Sequence, residues 1–219
     1  MRCLGALMFF LALAHAGAAA AGAWLREQGS GFGELSTTVG PFDPMLKLYL
    51  EYGWRPDLTF GFELETLPDA DIGKANVFAV RPLGRTDGTW RASWMLGGGL
   101  AWSPLLMEPT LKGGVSLGRG LEWDGHYGWA AFDFSVEYLN YTRVTITKLD
   151  STVGMGLTDR TRGMLQLFLT DFDGAFIAKL APSLLYQPRK DGVTLQFGLE
   201  IPNAGVEDAA LKIGLWKEF

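Results

Sequence analysis

AAFDFSVEY, residues 130–138, decides the fold class. Ala130, Phe132, Phe134, Val136 and Tyr138 are apolar, while Ala131, Asp133, Ser135 and Glu137 stand between them. Successive side chains of a β-strand point to opposite faces, so this stretch gives one apolar face and one charged face as a strand, and no coherent stripe as a helix. The same split recurs along the chain. Leu46, Leu48, Leu50, Tyr52 and Trp54 alternate with Lys47, Tyr49, Glu51 and Gly53, and Phe60, Phe62 and Leu64 alternate with Gly61, Glu63 and Glu65. Trp90 to Trp102, Val193 to Ile201 and Leu211 to Leu215 repeat it.

Turn chemistry punctuates these runs: GPFDP near 40, WRPDL near 54, LPDADIGKA near 67, GRTDG near 84, EWDGH near 122, LTDRT near 157, TDFDG near 170, QPRKDG near 187 and PNAGVED near 202. The spacing predicts about 12 strands of roughly 9–13 residues each. The number falls to ten if 76–83, which holds Pro82, and the Gly-rich 109–122 are not strands. Neither a long-period repeat nor a linker breaks the pattern, so 22–219 reads as one domain.

The start of the chain has a different character. Met1-Arg2, an apolar run from Cys3 to Ala14 and the small-residue stretch HAGAAAAGA have the order of a secretory signal peptide, with the cut expected near Ala21. Cys3 stands at the front of the apolar run and not at its end, which is the wrong place for a lipid-bearing cysteine. It is the chain's one cysteine, so the exported protein would fold without a disulfide and rely on packing or closure. The net charge of −5 disfavours nucleic acid as a partner.

Alternation alone fits two folds. A soluble sandwich or lipocalin-like barrel turns the apolar face inward, and a transmembrane β-barrel turns it toward lipid. Three features favour an antiparallel up-and-down transmembrane barrel. The strands are long enough to cross a bilayer at a tilt, whereas soluble strands average about 5–6 residues. Trp54, Trp90, Trp102, Tyr138 and Tyr186 lie at or near strand ends, where interfacial girdles form. The polar faces are rich in Gly, Glu and Lys, as a crowded lumen requires.

In that fold the charges must point inward, because a charge facing lipid at mid-depth costs roughly 2–4 kcal/mol. The acidic lumen candidates are Glu34, Glu51, Glu63, Glu65, Glu122, Asp133, Glu137, Asp150 and Glu200, and the basic ones are Lys47, Arg81, Arg91, Lys112, Lys148, Lys179 and Lys212. They can line a narrow aqueous path or pair into a lattice that closes it. The bore is far narrower than that of a porin of about 16–18 strands. An even strand count places both termini in the periplasm. The outward loops are then PFDP, LPDADIGKA, SPLLMEP, LNYTR, TDFDG and IPNAGVED, all too short for a folded receptor domain.

Catalytic and ligand-holding patterns are sparse. His126, in EWDGHYG, is the histidine outside the leader, with Ser116 and Ser135 as the nearest serines, and it reads as a polar turn residue. Glu63 and Glu65 share a strand face, as acid/base work on a sugar would need, but any charged lumen strand looks the same. No Cys/His metal set and no phosphate-cradling loop occurs outside the leader, and no cofactor is implied.

The ending LKIGLWKEF, with Leu211, Ile213, Leu215 and the terminal Phe219 on one face, resembles the C-terminal strand of bacterial outer-membrane β-barrels. That resemblance implies that Phe219 is an assembly signal read by the barrel assembly machinery. Lys217 departs from the pattern, which usually has an apolar or aromatic residue third from the end. EYGWRPDLTFGFELE (51–65) and VGMGLTDRTRGMLQLFL (153–169) resemble the hairpins of outer-membrane transporters. The expectation is a Gram-negative outer-membrane barrel in contact with lipid, passively conducting a small polar or aromatic solute. The alternatives are a closed structural barrel and a lipid-acting hydrolase built on His126.

Overall fold

The computed structural model describes residues 22–41, 44–84 and 88–219. The expected leader, 1–21, lies outside the described residues, as do parts of the GPFDP and GRTDG turns. Twelve strands run in chain order: β1 Gly31–Val39, β2 Met45–Arg55, β3 Leu58–Leu67, β4 Ile72–Pro82, β5 Trp90–Ser103, β6 Leu106–Trp123, β7 His126–Leu139, β8 Thr145–Gly156, β9 Thr161–Phe172, β10 Ala175–Tyr186, β11 Thr194–Pro202 and β12 Ala210–Glu218. Each pairs antiparallel with its sequence neighbours, and β12 pairs with β1 to close the barrel. Closure gives every strand a partner on both sides and leaves no free edge, which is what a sheet needs in hydrocarbon; the β10–β11 pairing skips Ala181 and Pro182, where the proline has no N–H to give.

Local chemistry explains the hairpins. Asp124-Gly125 and Asp173-Gly174 each join two strands, with φ of 48° and 75° in the first pair and 51° and 91° in the second. Positive φ at both central residues is the geometry that matches strand twist, and Gly reaches it without strain.

Both weak segments are full strands. Pro82 ends β4 instead of interrupting it, so its missing N–H costs no central ladder bond. The Gly-rich segment lies within β6, which has 18 residues, while β5 and β7 have 14 each, longer than the spacing predicts. The tight turns at 104–105 and 124–125 let these hairpins continue pairing past the neighbouring strands, which raises one wall of the barrel.

The outward parity is mainly apolar. Leu50, Phe60, Val77, Leu96, Leu111, Phe132, Val153, Leu165, Leu184, Phe197 and Ile213 are all exposed on it. Trp54, Trp90 and Tyr186 stand outward at the end of the barrel that holds Gly31 and Phe219, here the terminus end, and Trp102 and Tyr138 at the opposite, loop end. An apolar band between two aromatic belts is the exterior of a bilayer-spanning barrel.

Candidate functional site

The lumen has two zones. Toward the loop end it is a lattice of ionised side chains. Lys112 on β6 reaches Glu63 on β3, with Nζ 2.5 Å and 2.7 Å from the two carboxylate oxygens. Lys74 on β4 meets Glu137 on β7 at 2.5 Å. Asn76 donates to Glu63 at 3.0 Å and to Glu137 at 2.8 Å, and its own oxygen accepts from Thr110. Glu65 lies among three lysines, 3.6 Å from Lys47, 3.6 Å from Lys74 and 3.4 Å from Lys148 on β8. Glu200 is shared by Lys179 at 3.2 Å and Lys212 at 3.5 Å. Several of these contacts join strands far apart in the barrel order, so they cross the bore. Asp150 is inward beside Lys148, in register with Asp133.

Toward the terminus end the lumen is apolar and filled. Phe32, Trp129, Ala131, Met164, Leu185 and Trp216 form a buried cluster, with Trp24 and Tyr49 packed against it. Phe32 meets Trp216 edge-on at 6.0 Å between ring centroids, and Tyr49 bridges Phe32 to Phe78. These inward aromatics break the rule that apolar means outward.

Residues 22–30 enter this zone from the terminus end. Arg26 Nε lies 2.6 Å from Glu51, its guanidinium sits 4.6 Å over the Phe32 ring, and its backbone N–H donates to Thr59 Oγ1 at 3.0 Å. Tyr49 donates to the other Glu51 oxygen at 2.7 Å. Ser93 donates to the carbonyl of Gly22. A cavity of 280 Å³ separates residues 23–28 from Pro56, Pro82, Arg91 and Ala92.

The sequence candidates divide accordingly. Glu51, Glu63, Glu65, Lys112, Asp133, Glu137, Lys148, Asp150, Lys179 and Glu200 sit on inward parity, and Arg91 lines the cavity at the terminus end. Glu34, Lys47 and Lys212 also point inward, while Glu122 is exposed at the rim. Arg81 corrects the expectation. On β4 the even positions Asn76, Phe78 and Val80 are buried inside, so Arg81 faces out, half exposed, and pairs with Asp57 in the β2–β3 turn. It lies one residue from the strand end, where an arginine can reach the interface instead of lipid.

Lys74, Asn76, Thr110 and Arg26 were missed as lumen residues. Lys74 stands inside a run read as a breaker, and Arg26 belongs to a stretch with no periodicity at all. Extending the β4 alternation two residues backward would have found Lys74 and Asn76 together. His126 is exposed at the start of β7, and the ladder sets it roughly 20–30 Å from Ser116 and Ser135, beyond hydrogen-bond reach. Glu63 and Glu65 are both held by lysines.

No family model and no curated protein sequence matches the chain. Solved structures do. The fold is similar to that of the KdgM porin, at 9% identity over 87% of this chain and 99% of the porin, with a TM-score of 0.61. The NanC porin gives 12% identity over 85% of this chain and 97% of its own, at 0.56. An outer membrane channel from Pseudomonas putida F1 gives 9% identity over 90% and 98%, also at 0.56. At these identities the likeness is one of fold: this chain is a 12-stranded closed antiparallel barrel, and its solved neighbours are bacterial outer-membrane porins and channels.

Proposed function

We propose that this protein is an outer-membrane channel passing small polar solutes through its lumen. The observation that carries this reading is the lysine–carboxylate lattice: charged groups grouped at one level of the bore, with Glu65 and Glu200 each shared among lysines at 3.2–3.6 Å. Ammonium groups held at such distances keep donors available for a passing solute or for water. The exterior band and girdles support a bilayer location, and the likeness in fold to porins supports transport. One solved structure of the KdgM porin is a complex with disordered oligogalacturonate, which makes hydroxyl-rich solutes the first to try. In this reading the terminus end faces the periplasm, Phe219 serves the assembly machinery and the leader is removed.

Ion pairs crossing the bore favour a second reading, a closed structural barrel. Planar-bilayer recording decides between them. The channel reading expects discrete conductance steps from the purified barrel or from a version lacking residues 22–29. Silence from both at every applied potential would leave the closed barrel standing.

A further inference from the structure

We infer that residues 22–29 are a removable plug seated in a site that the barrel wall has been shaped to receive; the inference rests on the channel reading. Three observations carry it. First, the wall is cut away where the segment lies. A Cβ on inward-facing Gly53 of β2 would stand 2.0 Å from the Glu27 carbonyl oxygen and 2.7 Å from that of Arg26. A Cβ on Gly118 of β6 would stand 2.1 Å from the Trp24 ring and 2.7 Å from the Ala23 Cβ. Two glycines on strands well apart in the barrel leave room for the same short segment, and any larger residue at either would expel it.

Second, beyond the backbone bond from Gly29 to Gly53, the segment is held by contacts that involve side chains and not by the ladder. Residues 22–29 belong to no strand. Their contacts deeper in the bore include the Arg26–Glu51 pair, the Arg26–Thr59 bond, the Ser93–Gly22 bond, the Arg26 guanidinium over Phe32 and the packing of Trp24 against the buried cluster. Leaving the lumen therefore breaks none of the hydrogen bonds that close the barrel. Third, a pivot exists. Gly29 has φ of 85°, and nothing lies within 4 Å of where its Cβ would be. Its N–H donates to the Gly53 carbonyl at 2.8 Å, beside an irregularity in the β2–β3 register between Gly53 and Arg55. The backbone can turn there without a steric cost, so the segment swings while Gly31 stays in β1.

What the plug controls follows from its place. Trp24, Ala23 and Arg26 cover the apolar zone below the charged lattice, so a solute that has passed the lysines meets this segment next. With the segment seated the bore is filled at the terminus end. With it withdrawn, Thr59 and Ser93 lose their partners in the segment, and Glu51 loses Arg26 while keeping Tyr49.

The test reads the plug both through conductance and independently of it. Ala23 is 2% exposed. In an Ala23→Cys variant of the exported barrel, reaction with a membrane-impermeant maleimide reports the fraction of time the segment is out. Adding Gly53→Val, or Arg26→Met with Glu51→Gln, is expected to raise the labelling rate by roughly tenfold or more, as a shifted local opening equilibrium requires. Heat-modified mobility in gels checks that the barrel stays folded. The same seat variants, and a chain without residues 22–29, are expected to conduct more than the intact chain. Unchanged labelling in the folded seat variants would overturn the plug. Equal conductance of intact and shortened chains would overturn it while leaving the channel reading intact, and silence from both would overturn both.

Discussion

Gly31 and Phe219 join the start of the first strand to the residue that follows the last. The Gly31 N–H donates to the Phe219 carbonyl at 2.6 Å, and the Phe219 N–H donates back to the Gly31 carbonyl at 3.0 Å. The Phe219 ring lies flat against Gly31, where an added Cβ would stand 2.3 Å from ring carbon Cε2. The first strand thus keeps a bare backbone so that the last side chain can lie over the closing seam.

This seam gives the first prediction. Gly31→Val is expected to push the ring off the seam and slow assembly, and deletion of Phe219 should slow it further by also removing the terminal aromatic. Pulse-chase conversion to the heat-modifiable form in the outer membrane measures both. Wild-type kinetics in the two variants would count against a role for Phe219 in assembly.

The lattice gives the second. Lys112→Met takes the paired ammonium from the Glu63 carboxylate, 14% exposed, and leaves it the Asn76 hydrogen bond. Breaking a buried pair by removing one partner costs about 3 kcal/mol. Adding Glu63→Gln should recover most of that loss, giving a coupling well above the roughly 0.5 kcal/mol that marks additive sites. Urea unfolding in detergent micelles reads the cycle, and additive losses would mean the pair is not coupled.

Most of the fold was legible because a bilayer-spanning strand writes its two solvents into every second residue. The legibility stops where that rule stops. Charge alone puts Arg81 in the lumen, but near a strand end an arginine can face outward and bond Asp57. Phe32, Phe78 and Trp129 are apolar and inward, because the terminus end of the bore is packed and not wet. Residues 22–30 carry no period, since their conformation is dictated by the glycines of distant strands. The pairing of Glu65 with three lysines depends on barrel closure and could not be read from any one strand.

The Arg81–Asp57 contact gives a pH prediction outside the membrane. The hydrogen bond from Arg81 holds the Asp57 carboxyl below its ordinary value. A depressed folded pKa means the contact stabilises the folded turn at pH above the ordinary carboxylate range and is lost as pH falls through the lowered pKa. The protection of the Leu58 amide, its exchange rate relative to that of an unstructured amide at the same pH, should therefore fall on acidification in the wild type and be low at all pH values in Asp57→Asn. Both groups are about half exposed, so the melting temperature of the whole barrel should hardly move. Protection at Leu58 that does not change with pH in the wild type would refute the contact's role.

Selectivity offers the last prediction, and it sets Arg81 against Glu65. Glu65 is the shared partner of Lys47, Lys74 and Lys148, so neutralising it leaves three ammonium groups facing the bore with one fewer counter-charge among them. A unit charge at about 4 Å is worth about 1 kcal/mol even in water, so Glu65→Gln should raise the anion-over-cation permeability ratio roughly fivefold. Arg81→Gln changes the charge by the same magnitude with the opposite sign, but on the outer face, and should leave the ratio where it was. Reversal potentials in a potassium chloride gradient measure both, using the shortened chain if the intact one conducts too little. A shift for Arg81→Gln with none for Glu65→Gln would place the conduction path somewhere other than the lattice.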